Sequence, residues 1–155
     1  TIKQVESLIE KLSKFLHPNH YQMFTLHHSL IQLYGSEQGY SMEKLTNEQL
    51  NKKWQWCQQL YGVCQILDPS CIRLSIYVGI ILYEMQTVVL ERIKRDMEAS
   101  KEKKLKDLQE AREYLLKASR ILQKELDNVA GSKLSEKVQR TIGDLERLMT
   151  QEQKQ

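Results

Sequence analysis

Proline and glycine are scarce in this chain, two and six residues respectively in 155. Helix breakers are therefore few, while Leu, Gln, Glu and Lys, all good helix formers, are abundant. No segment alternates apolar and polar residues between turn signals, so strands drop out of the expected architecture. Cysteine is sparse and odd in number: Cys57, Cys64 and Cys71 stand seven apart, with no close pair of the zinc-knuckle kind. Together with the absence of a signal peptide, this points to reduced thiols in an intracellular protein, cytoplasmic or nuclear. Long hydrophobic runs are missing too. The most apolar stretch, residues 76–85, is far short of the roughly 20 residues that span a bilayer, and it contains Glu84. A buried central helix accounts for it, and no membrane partner is expected. Phosphate loops, nucleophile elbows and dinucleotide-binding glycine patterns are absent, so no catalytic, cofactor-binding or metal-binding residue is assigned. The first residue is Thr1 and not Met, and the sequence reads as a segment of a longer protein.

Charge is unevenly spread. Residues 1–90 balance, and the whole formal excess of +3 falls in residues 91–155. It peaks at Arg92, Lys94, Arg95, Lys101, Lys103, Lys104 and Lys106. Glu91–Arg95, Glu102–Lys106 and Glu98–Lys101 have the spacings of ion pairs along a solvated helix. No aromatic residues interleave this cluster for base stacking, so nucleic acid is not the expected partner.

Apolar periodicity predicts six helices. The first covers about residues 1–16, with Ile2, Val5, Leu8, Ile9, Leu12, Phe15 and Leu16 on one face, and stops before Pro18. The second, about 18–34, takes Pro18 in its first turn and Met23, Phe24, Leu26, His27, Leu30, Ile31 and Tyr34 as its core stripe, and it ends at Gly35. After a loop over 35–46, Thr46 and Gln49 form a capping box for the third helix, which runs to Leu67. Its inward residues are Leu50, Trp54, Cys57, Tyr61 and Cys64, with Trp56 partly exposed. Asp68 and Pro69 are expected to start the fourth helix, about 69–98. Gly79 within it costs roughly 1 kcal/mol relative to Ala, a cost that a close helix crossing offsets. A break near Ala99–Ser100 leads into the fifth, about 101–127, with Leu105, Leu108, Ala111, Leu115, Ala118, Leu122 and Leu126 inward, closed by Asn128 and Gly131. The sixth covers about 132–150, through Leu134, Val138, Leu145 and Leu148, before a polar tail, 151–155, that is expected to fray.

Two of these helices carry one small–large–small signature: Cys57, Tyr61, Cys64 and Ala111, Leu115, Ala118. Offsets of four and seven share a helix face, so each set presents a notch, a knob and a notch to a neighbour. The pattern resembles the second helix of a tetratricopeptide-type hairpin. Pro18 and Pro69 mark an internal repeat of about 50 residues, longer than the usual 34. The expected fold is therefore all-α, with antiparallel helix hairpins stacked as a TPR-like array in a single domain. Residues 1–17 form a trailing helix, 18–67 and 68–130 the two hairpins, and 131–155 a capping helix and tail.

Chemistry-bearing residues are few. His17, His20, His27 and His28 cluster, but their spacing lacks the carboxylate partners of a zinc site and reads as caps and partly buried histidines. Cys57 and Cys64 occupy notch positions and read as small core residues. Cys71 is expected in a first helical turn, where the dipole lowers a thiol pKa.

The order of "LHPNHYQM" at 16–23, "LIQLYG" at 30–35, "LDPSCIRLSIYVGIILYEM" at 67–85 and "LQEAREYLLKASRIL" at 108–122 resembles the C-terminal TPR-like region of SET- and MYND-domain protein lysine methyltransferases, insect-type members in particular. That resemblance implies a non-catalytic module that walls the substrate cleft and recruits protein partners. S-adenosylmethionine and zinc would belong to the catalytic portion of the parent chain. The alternative is an independent TPR-like adaptor that binds peptide segments. In either case His20, His27, Arg73 and Tyr77, polar or aromatic groups among apolar helix positions, are the candidate protein-binding residues on the hairpins' shared concave side.

Overall fold

Side-chain caps and backbone turns place the helix boundaries. The computed structural model describes residues 1–125 and 129–154. Among them are the helices α1 (Ile2–Leu12), α2 (Tyr21–Ser36), α3 (Asn47–Leu67), α4 (Ser75–Arg95), α5 (Lys101–Leu122) and α6 (Val129–Lys154), with short 3-10 turns at Met42–Lys44 and Gln123–Glu125. No strand occurs among the described residues, and the all-α class is as expected. The chain divides into two compact units, Thr1–Pro69 and Ser70–Gln155. In the first, α2 packs against both α1 and α3; in the second, α5 packs against both α4 and α6.

Neither proline starts a helix. Helix α1 stops at Leu12, where the Ser13 hydroxyl bonds back to the Glu10 carbonyl at 2.8 Å, and Pro18 lies in the turn beyond. His20 caps α2 instead, its Nδ1 accepting from the Gln22 amide at 3.3 Å. Asp68 is the C-cap of α3, and α4 begins only at Ser75. Cys71 has φ of +50°, a left-handed conformation that a helix cannot pass through. It therefore lies before α4 and not in its first turn. Thr46 and Gln49 do form the reciprocal capping box at the start of α3, and the Ser100 hydroxyl caps α5 at the expected break. Gly131 is buried inside α6 and does not close α5. The polar tail continues α6 as far as Lys154. Leu126 and Asn128, expected at the end of the fifth helix, lie outside the described residues.

The unit of α4, α5 and α6 is built on small residues. Ala111 and Ala118 are fully buried with Leu115 between them. Gly79 shows why a small residue is needed: a Cβ there would lie 2.8 Å from Leu122 Cδ2 and 3.0 Å from its Cγ. Polar groups close the unit's edges. Ser75 donates to Glu125, Gln139 donates to Ser119 at 2.6 Å, and Lys137 stands 4.3 Å above the Tyr83 ring. In the basic stretch Glu91 pairs with Arg95 at 2.9 Å, and Glu91 is buried, not solvated. Glu102–Lys106 and Glu98–Lys101 form no ion pair among the described residues; Lys101 reaches the Gln153 carbonyl at 3.4 Å. The ammonium of Lys103 pairs with Asp96 across the α4–α5 turn and holds that carboxyl below the usual range.

Close approach at Gly79 makes a signed prediction. Gly79→Ala is expected to lower the unfolding free energy by about 1 kcal/mol, because overpacking outweighs the gain in helix propensity. In a Leu122→Ala background the obstruction is gone, and the same change should stabilise by up to about 1 kcal/mol. Urea unfolding of the four proteins measures the cycle; destabilisation in both backgrounds would contradict it.

Candidate protein-interaction surface

Tyr34, at the end of α2, joins the parts of the first unit. Its ring is only 2% exposed. The hydroxyl donates to Glu6 Oε1 of α1 at 2.7 Å. Its backbone carbonyl accepts from the ammonium of Lys53, a fully buried residue of α3. The ring meets Tyr40 edge-on at 5.6 Å and lies 5.4 Å from Trp56. Gly35 follows with φ of +122°, and a Cβ there would lie 2.9 Å from Met42 Sδ and 3.1 Å from Lys53 Nζ. The chain can leave α2 only through a glycine at this point. Burial first, and then the hydrogen bond to Glu6, push the Tyr34 hydroxyl well above the ordinary tyrosine pKa.

With α1 set on α2 in this way, part of its apolar surface stays uncovered. Ile2, Val5, Leu8, Ile9 and Leu12 spread over an arc of about 120° at 3.6 residues per turn. Ile2 is buried, but Leu8 is 43% exposed. Leu8 and Leu12 face Tyr21, Gln22, Thr25 and Leu26 of α2 across an open, mostly apolar groove of about 270 Å³. Tyr21, at 70% exposure, stands at its margin, and Phe15, in the turn after Leu12, is 85% exposed and not part of the inward face. On the other side of Leu8, Lys3, Gln4, Ser7 and Lys11 line a shallow hollow. Single exposed apolar residues are ordinary, whereas several gathered around one groove mark an interaction surface.

The residues expected to bind partners fall elsewhere. His20 is half-buried, committed as the cap of α2, and its ring lies 4.7 Å from Tyr21. His27 Nδ1 bonds the Met23 carbonyl at 2.9 Å, and its ring lies 6.1 Å from Trp56. Both belong to the first unit. Arg73, exposed in the bend before α4, and Tyr77, 40% exposed on α4, belong to the second. Trp54 and Trp56 are both half-buried. The groove residues lay in plain view as periodic apolar positions; Tyr21 carried no signal of its own. The available clue was the width of the α1 stripe, broader than one neighbouring helix covers.

Among the described residues no group of three or more His, Cys, Asp and Glu side chains could hold a metal ion. No described helix is long and apolar enough to cross a membrane. No family model matches the chain, and neither a curated protein nor a solved structure matches it.

The Tyr34 contacts predict alkaline sensitivity. A raised pKa in the folded state means that this stability is present below the unfolded value of about 10 and is lost as pH rises beyond it. Tyr34→Phe should cost about 1 kcal/mol at pH 8 through the lost hydrogen bond. Between pH 8 and pH 11 the wild type should lose about 1 kcal/mol more than Tyr34→Phe does. Urea titrations at the two pH values check this; parallel losses would contradict it.

Proposed function

We propose that this chain is a non-catalytic helical module that binds protein segments. The single observation that carries the reading is the open groove between α1 and α2, lined by Leu8, Leu12, Tyr21 and Leu26. Helix-lined apolar grooves suit amphipathic segments, because side chains at helical spacing enter the groove while polar groups stay at its rim. The order of the four sequence motifs supports placing the module beside the catalytic portion of a SET- and MYND-type protein lysine methyltransferase. In that setting it walls the substrate cleft and recruits partners in the cytoplasm or nucleus, and S-adenosylmethionine and zinc belong to the catalytic portion.

Two measurements test the two parts of this reading. Tyr21→Ser and Leu8→Gln, both in the groove lining, should each change stability by less than about 0.5 kcal/mol, as surface changes do, yet clearly reduce the fluorescence of an apolar dye bound to the folded protein. Unchanged dye binding would remove the groove from the account. Transcript sequencing around the codon for Thr1 should find, in frame, a SET-type cofactor motif and clustered zinc-binding cysteines. A frame without them would end the methyltransferase setting and leave an independent adaptor.

A further inference from the structure

A buried cation and a sulfur meet at the turn between α2 and α3. The ammonium of Lys53, a fully buried residue of α3, donates to the Tyr34 carbonyl and to Met42 Sδ, the latter at 3.6 Å. Met42 opens the 3-10 turn Met42–Lys44 and is half-buried, so part of its side chain meets solvent. Gly35 leaves room for both groups: a Cβ there would lie 2.9 Å from the sulfur and 3.1 Å from the ammonium nitrogen. A thioether is a weak acceptor, so this contact returns little of what an ammonium loses on leaving water. Elsewhere Met23 and Met85 are buried, and Met97 is 83% exposed.

We infer that Met42 is a redox-sensitive modification site, where oxidation of the sulfur to a sulfoxide tightens the first unit by giving Lys53 a stronger acceptor. Hydrogen peroxide supplies the oxygen: its O–O bond breaks, a sulfur lone pair forms the S–O bond, and water leaves, so the sulfur is oxidised and the peroxide reduced. The geometry suits the product. A sulfoxide oxygen stands about 1.5 Å from its sulfur, so an ammonium bonded to that oxygen at about 2.8 Å, in a bent arrangement, lies about 3.7 Å from the sulfur. Sulfur and nitrogen already stand 3.6 Å apart. The new bond is charge-assisted, roughly twice as strong as a neutral one. Methionine oxidation ordinarily disrupts packing, because a polar oxygen enters apolar surroundings; here the oxygen faces a buried positive charge. Sulfoxide reductases reverse the step, so the stability of this turn follows the level of oxidant.

The test uses the whole chain carrying Met97→Leu and Met149→Leu, which removes the exposed and half-buried sulfurs other than Met42. Mild hydrogen peroxide treatment of the folded protein should add an oxygen to Met42, located by peptide mass mapping. Urea unfolding should then show the midpoint raised by about 0.3 M or more. Met42→Leu in the same background should show no shift on treatment. With Lys53→Leu the ammonium is gone, and oxidation of Met42 should lower the midpoint instead. Met42 resisting peroxide in the folded protein, or a midpoint that stays or falls with Lys53 in place, overturns the proposal. An equal rise in the Lys53→Leu protein overturns it too. Should Lys53→Leu fail to fold, the sign of the shift in the protein that keeps Lys53, read against Met42→Leu, still decides.

Discussion

A buried ammonium must be given acceptors, and the contact between Lys53 and the Tyr34 carbonyl is the constraint around which the first unit is arranged. Taking an ammonium out of water costs several kcal/mol unless hydrogen bonds compensate. The carbonyl is available because the chain departs from helical geometry at Tyr34 and Gly35, which releases it from the α2 ladder. Gly35 can adopt that departure, and its missing side chain leaves room for Lys53 and Met42. The same tyrosine reaches α1 through Glu6. One residue thus ties α1, α2 and α3 together, and the position of α1 on α2 decides which apolar side chains stay uncovered.

The second unit uses no such polar knot. Its helices approach through small residues: Leu122 occupies the space that a side chain at Gly79 would need, and Ala111 and Ala118 are fully buried. Dense packing of this kind tolerates little change in volume. Its exposed ion pairs, such as Arg112–Glu146 at 2.8 Å, add little individually, whereas the Glu91 carboxylate paired with Arg95 is buried. The two units therefore illustrate two solutions to helix packing within one chain. The first leaves an open, mostly apolar groove between α1 and α2.

Much of the helical layout was legible. Periodicity over a dozen or more residues and the capping chemistry at Thr46 and Ser100 placed the third and fifth helices well. Gly79 and the alanine notches announced a close crossing. The prolines misled, because Pro18 and Pro69 suit a helix start but serve equally in a turn; His20 and the backbone of Cys71 decided between these uses. The burial of Lys53 had no counterpart in the apolar pattern of the third helix. Nothing local in the sequence distinguishes a lysine that finds a carbonyl in the interior from one that faces water.

The sequence by itself determined an all-α protein: few breakers, strong helix formers, apolar stripes at helical spacing and small residues where helices meet. These are local properties, and local propensity and periodicity suffice to express them. Tertiary structure alone decided which part of each stripe became core and which became surface. The exposure of Leu8, the engagement of Glu6 by Tyr34 and the burial of Lys53 all depend on residues far apart along the chain. The groove exists because α1 presents a wider apolar arc than α2 covers, and that mismatch arises only when the two helices are packed.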